Sequence, residues 1–84
     1  MNGGAYRHIG GAVVGDHGAV SLARARQLVR FYGREALHCR RHGQRAVAEA
    51  CARRALALNA AVSEAAQWRR AAGWRAPEGA DIRA

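Results

Sequence analysis

The sequence predicts a small all-α protein, an antiparallel two-helix hairpin that follows a glycine-rich N-terminal arm. Two long segments repeat apolar residues at spacings of three and four, which is the period of one helix face. The chain has 84 residues, which is enough for one domain. Much of its apolar content is alanine, and so short a chain buries only part of its surface. We therefore expect the hairpin to dimerise into a helical bundle.

The N-terminal segment, residues 1–18, is interrupted by glycine at six positions. Glycine removes the steric bias on which regular structure depends, so we predict a flexible or loop-like arm. Residues 5–9 and 12–14 have the composition of short strands. Two such pieces do not form a stable sheet alone, and we expect the arm to order on a partner.

The helical domain, residues 19–74, begins with a predicted helix over about 21–42. Ser21 is a favourable N-cap residue at its start. The apolar stripe that follows consists of Leu22, Ala25, Val29, Tyr32, Ala36 and Cys39.

A second helix is predicted over about 44–72, because alanine is the strongest helix former and recurs throughout this segment. Gly73 ends the helix and Pro77 prevents it from resuming. Residues 75–84 are then a C-terminal tail. The apolar stripe of this helix consists of Val47, Cys51, Ala55, Leu58, Val62 and Ala65.

The connection at Gly43 allows two arrangements. A glycine there is able to cap the first helix in the left-handed conformation and start a hairpin. Uninterrupted, residues 21–72 would form a helix on the order of 75 Å long that is stable only as a coiled coil. We favour the hairpin, because a glycine in a helix interior costs about 1 kcal/mol relative to alanine.

The charge is strongly positive, with a formal net value of +8 and a pI of about 11.4. All 14 basic residues are arginine. A codon bias that also favours alanine and glycine accounts for arginine in place of lysine. It does not account for the excess of bases over acids, which predicts attraction to polyanions.

Four basic residues of the first helix, Arg30, Arg34, His38 and Arg41, follow one another at i, i+4, i+8 and i+11. They therefore project from one side of the helix. We expect Arg30, Arg34 and Arg41, with Arg45 after the turn, to clamp phosphates of a nucleic acid or a nucleoprotein complex. An ordinary solvated face is the alternative. No helix-turn-helix or zinc-finger pattern indicates base reading.

The second hypothesis is a protein partner. The chain would then be an inhibitor or adaptor that blocks a host-defence or regulatory complex, a role that its small size shares with proteins of phages and mobile elements. Phe31, Trp68 and Trp74 do not belong to the predicted stripes, and exposed aromatics are typical of interfaces. Arg54 falls within the apolar stripe of the second helix. It either extends to solvent at the edge of the seam or pairs across a dimer.

Catalysis, metals and membranes are not indicated. His38 and His42 have zinc-compatible spacing, but Cys39 and Cys51 do not converge with them in a hairpin. The glycine-rich arm lacks the rigidity that catalysis requires. We expect a non-enzymatic protein without metal, cofactor or small-molecule substrate. The sequence has no secretory signal or apolar span, so we expect a cytoplasmic protein with reduced thiols.

Overall fold

The computed structural model describes residues 6–73 of the chain. Three short strands come first, β1 (Arg7–Ile9), β2 (Ala12–Gly15) and β3 (Gly18–Val20). Two long helices follow, α1 (Leu22–Arg41) and α2 (Arg45–Ala72). The predicted helix bounds therefore agree with the observed ones to within one residue at each end. The predicted C-terminal tail and Trp74 lie outside the described residues.

The helices form a hairpin, which confirms the preferred interpretation of Gly43. At the start of α1, the Ser21 hydroxyl accepts a hydrogen bond of 3.0 Å from the Arg24 amide, as an N-cap does. At its end, Gly43 has φ +74°. The amide of Gln44 donates to the Cys39 carbonyl at 2.8 Å, and that of Gly43 donates to the Arg40 carbonyl at 3.2 Å. This pair of bonds is a Schellman motif, which needs a left-handed residue at Gly43.

The N-terminal segment differs from the predicted loop-like arm, because its described part forms a three-stranded antiparallel sheet in the order β1-β2-β3. Ile9 pairs with Ala12, which leaves Gly10 and Gly11 as a two-residue turn with φ of +56° and +85°. Such hairpin turns favour glycine because both turn residues need positive φ. The sequence indicated two of these strands, and the third completes a sheet that two strands alone do not form.

The sheet is also fixed to α2, which supplies the stability that isolated strands lack. Val13 of β2 is fully buried against the helices. Gly11 lies so close to α2 that a Cβ atom on it would come 2.7 Å from Cε3 of Trp68. The Arg69 Nε donates a 2.7 Å hydrogen bond to the Gly11 carbonyl, and the His8 ring lies 6.4 Å from that of Trp68.

The core lies where the sheet covers the helix hairpin. Alanines of the apolar stripe of α2 form part of it and pack within one chain. The buried core residues are Val13, Leu22, Ala25, Leu58, Ala61, Val62 and Ala65. Farther along, towards the turn at Gly43, the buried residues are Cys39 and Ala48. The chain is thus mostly helical, with a core concentrated at its sheet end.

Candidate nucleic-acid interface

A groove of about 400 Å³ runs between the two helices on one side of the hairpin. Its lining combines cationic guanidinium groups with neutral amide and hydroxyl groups, and it includes no Asp or Glu. The lining residues are Arg26, Val29, Arg30, Asn59, Val62, Ser63, Ala66, Gln67 and Arg70. Such a lining offers many hydrogen-bond donors and no negative charge, which is suited to an anion.

The packing of the hairpin places these arginines at the groove. Arg26 and Arg30 are four residues apart on α1, so they lie on one side of that helix. Val29 and Val62 turn towards the core and form the apolar floor between the helices. Arg70 reaches the same groove from α2. Since the helices are antiparallel, the start of α1 lies beside the end of α2, which places the three arginines on the same groove.

A second groove, of about 380 Å³, lies along α1 next to the first. Arg30 lines both grooves, so the two form one continuous surface. The second groove also has no acidic lining residue. Its lining residues are Arg24, Gln27, Leu28, Arg30, Phe31 and Arg34. We use the term arginine face for the five basic residues of the two grooves, Arg24, Arg26, Arg30, Arg34 and Arg70.

The predicted phosphate clamp divides into two parts. Arg30 and Arg34 belong to the arginine face. Arg41 is the last residue of α1 and Arg45 the first of α2, so both stand exposed at the turn of the hairpin and line neither groove. Eleven residues separate Arg30 from Arg41, a rise of roughly 16 Å along the helix. Arg41 also complements the negative end of the α1 dipole.

Three residues of the arginine face, Arg24, Arg26 and Arg70, were not predicted from the sequence. Arg24 lies outside the predicted stripe and lines only the second groove. Arg26 precedes Arg30 by four residues and continues the predicted stripe, so the helical period alone would have identified it. Arg70 has no comparable signal. Its position beside Arg26 and Arg30 depends on how far the two helices extend past the turn, which spacing within one helix does not reveal.

The predicted aromatic interface residues lie apart from one another. Phe31 lines the second groove and is 45% exposed. Its ring packs edge-on against Tyr32, with a centroid distance of 5.3 Å and an interplanar angle of 71°. Trp68 is 39% exposed, and its covered side holds the sheet on α2.

Arg54 is half-buried in the apolar stripe of α2, as its helical position predicts. Its guanidinium carbon lies 5.6 Å from the centroid of the Tyr32 ring. This distance is that of a cation–π contact, so an aromatic ring of the same chain accommodates the charge. The contact explains the position of Arg54 without a partner subunit.

A third cavity, of about 390 Å³, lies beside Arg54 and the β2–β3 turn. Tyr6, Tyr32, Asp16 and His17 also line it. Burial raises the pKa of the Tyr6 phenol, and the Tyr32 hydroxyl raises it further through its charge and a hydrogen bond. Arg54 lowers this pKa and Asp16 raises it. With a carboxylate in its lining, this cavity is less suited to a polyanion than the arginine face.

The cysteine and histidine cluster near the turn holds free thiols. Burial raises the pKa of the Cys39 thiol, and Cys51 and Glu35 raise it further through their negative charges. The rings of His38 and His42 lie 4.5 Å apart. Among residues 6–73, no three His, Cys, Asp or Glu side chains are grouped closely enough to hold a metal ion.

Neither helix of residues 6–73 combines the length and the apolar character that crossing a membrane requires.

Compared with known proteins, the chain matches no family model, no curated protein and no solved structure.

Proposed function

We propose that this chain is a small non-enzymatic regulatory protein whose arginine face binds the phosphate backbone of a nucleic acid, free or within a nucleoprotein complex. The observation that carries the proposal is the groove between α1 and α2. Arg26, Arg30 and Arg70 converge on it, and no acidic residue lines it. A positively charged groove of this kind attracts an extended polyanion, because binding releases the counterions condensed along the backbone.

The side chains between the arginines support this proposal. Guanidinium groups donate paired hydrogen bonds to phosphate oxygens. Asn59, Ser63 and Gln67 add neutral donors along the α2 side of the groove. Side chains of these types commonly bind phosphates and sugars, which positions a protein without reading the base sequence. We therefore propose binding that is strongly dependent on salt and weakly dependent on sequence.

The decisive experiment is titration of the purified chain with a fluorescent oligonucleotide across a salt series. We expect log affinity to fall linearly with log salt. The double variant Arg26→Glu/Arg30→Glu should weaken binding at low salt by at least about tenfold and reduce the salt slope, because two phosphate contacts are lost.

Arg7→Glu/Arg53→Glu is the matched control. Both residues are exposed and line none of the three cavities described, and the change in net charge is the same. Equal losses in the two double variants would show that net charge alone drives binding. Arg41→Glu/Arg45→Glu then measures whether the bound strand extends to the turn of the hairpin. Absence of binding in the wild-type protein at low salt would refute the proposed function.

A protein partner is the alternative, and the exposed apolar side chains favour it. Phe31, Leu37, Val47 and Leu56 are each at least 45% exposed, and aromatic side chains such as that of Phe31 are enriched at interfaces. Loss of binding to a protein partner in Leu37→Ala and Leu56→Ala, while the arginine variants bind that partner normally, would support this alternative.

Light scattering of the purified chain tests the predicted homodimer.

A further inference from the structure

We infer that the nucleic acid bound by the arginine face is single-stranded, and that one of its bases stacks on Phe31. This inference depends on the proposed function, since it specifies the form of the polyanion. It rests on a feature that phosphate binding alone does not require, which is an exposed aromatic ring among the arginines of the second groove.

Phe31 lies exposed among arginines of the second groove. Its ring is 45% exposed and lines a groove with Arg24, Arg30 and Arg34. An exposed aromatic side chain surrounded by cations is the usual arrangement in proteins that bind single strands, where bases stack on the ring and the cations follow the backbone. Leu28 and Gln27 complete the lining, and no carboxylate opposes a phosphate there.

The ring is also restrained, which favours stacking. Phe31 packs edge-on against Tyr32 at a centroid distance of 5.3 Å. Tyr32 in turn packs against the core and against the guanidinium of Arg54. A ring that is held in place loses less conformational freedom when a base stacks on it than a freely rotating ring does.

The two grooves are joined through Arg30, and this connection links stacking to phosphate binding. Arg26, Arg30 and Arg34 follow one another along α1 at a rise of about 6 Å per step. A strand lying along them passes from the groove between the helices to the groove at Phe31. A single strand is able to turn a base towards the ring while its backbone stays on the arginines. In a duplex the bases are paired and stacked inside, and a base must be flipped out to reach Phe31.

The test compares three ligands with the wild-type chain, namely two single strands of equal length and equal phosphate number and one duplex of the same length. They are a single-stranded oligothymidine, a blunt duplex in which one strand has that length, and an abasic sugar–phosphate strand. We expect the oligothymidine to bind about tenfold more tightly than the abasic strand, since the stacking of one base on an aromatic ring increases the affinity by about this factor. We also expect it to bind more tightly than the duplex.

Two variants of Phe31 locate the effect. Phe31→Leu keeps an apolar side chain without an aromatic face, and it should remove the preference for the oligothymidine over the abasic strand while the salt slope stays unchanged. Phe31→Trp should retain the preference, because indole also stacks on bases. Leu56→Ala changes an exposed apolar residue on α2 and is the matched control. Circular dichroism of each variant verifies that the helices are intact.

The outcomes separate this inference from the proposed function. If the abasic strand and the duplex bind as tightly as the oligothymidine, with a steep salt slope, the single-strand inference is overturned and phosphate binding by the arginine face stands. The same holds if Phe31→Leu retains the full preference. If none of the three ligands binds at low salt, the proposed function fails and the inference fails with it. The ligand comparison uses the wild-type chain and does not depend on the folding of any variant.

Discussion

Val62 and Val47 have the same side chain and belong to the same predicted stripe of α2, yet Val62 is 7% exposed and Val47 is 52% exposed. The difference lies in what covers them. At Val62 the helix pair carries the sheet, and Val13 completes a closed core. At Val47 the chain consists of the helix pair alone, near its turn. Helical period therefore indicates which way a side chain points, whereas burial requires a further layer in that direction.

The arginine face follows the same division. Its groove lies on the well-packed part of the hairpin, where Val29 and Val62 form the floor and hold the guanidinium-bearing turns of both helices at a defined separation. Arg41 and Arg45 stand at the turn, where few residues are buried. A rigid support is what a preorganised binding surface needs. The sheet end of the hairpin is therefore the better support for binding.

The largest expected effect contrasts a leucine of the core with one near the turn. Leu58 is fully buried, whereas Leu37 is 52% exposed. We expect Leu58→Ala to lower the free energy of unfolding by about 3 kcal/mol, since it removes buried methyl groups and leaves a cavity. Leu37→Ala should change it by about 0.5 kcal/mol or less. Urea unfolding followed by circular dichroism measures both. Similar losses at the two positions would show that the turn region is covered in solution, as in a dimer.

A second effect tests whether the sheet is held by its contact with α2. Gly11 combines a φ of +85° with a space that Trp68 fills, whereas Gly10 has a φ of +56° and open surroundings. We expect Gly11→Ala to cost about 2–3 kcal/mol, from backbone strain and displacement of the indole. Gly10→Ala should cost only about 1 kcal/mol, from the backbone alone.

Trp68 fluorescence gives a readout for this pair besides stability. All three proteins carry Trp74→Phe, so that Trp68 alone fluoresces. In Gly11→Ala the emission maximum should shift, because the indole loses its contact with the sheet. In Gly10→Ala it should stay close to that of the protein with both glycines. If Gly11→Ala is as stable as Gly10→Ala and leaves the emission unchanged, the close approach of β1–β2 to α2 is incorrect.

The smallest expected effect concerns the thiols near the turn. Burial, with Cys51 and Glu35, raises the pKa of Cys39. The folded chain therefore keeps this proton to a higher pH than the unfolded chain does. The resulting contribution to stability is constant below roughly pH 8.5, the ordinary range of a thiol, and is lost as the pH rises towards the folded-state pKa.

We expect the free energy of unfolding to decrease as the pH rises above the ordinary range of a thiol, and Cys39→Ala to lessen this decrease. Cys51→Ala should retain most of it, because burial is the largest cause of the raised pKa. Urea unfolding at several pH values measures the three proteins. If the free energy of unfolding of Cys39→Ala decreases with pH as much as that of the wild type, the decrease comes from other groups, such as Tyr6, whose pKa is also raised.

Local features of the chain were determined by the sequence alone. Ser21 caps α1, Gly43 ends it, and the period of three and four defines the buried faces, because these features depend on contacts within one or two turns of a helix. The stripe that contains Arg30 and Arg34 follows from the same period. Its extension to Arg26 was also available from the sequence.

Only the tertiary structure decided which faces are covered and which charges meet. The sheet is held on the helices because Gly11 fits beneath Trp68, a contact between two segments that lie far apart in the sequence. Arg70 joins the arginine face because the antiparallel packing brings the end of α2 beside the start of α1. Period and capping are local properties of the backbone, whereas these contacts depend on the register of packed elements, which no single segment encodes.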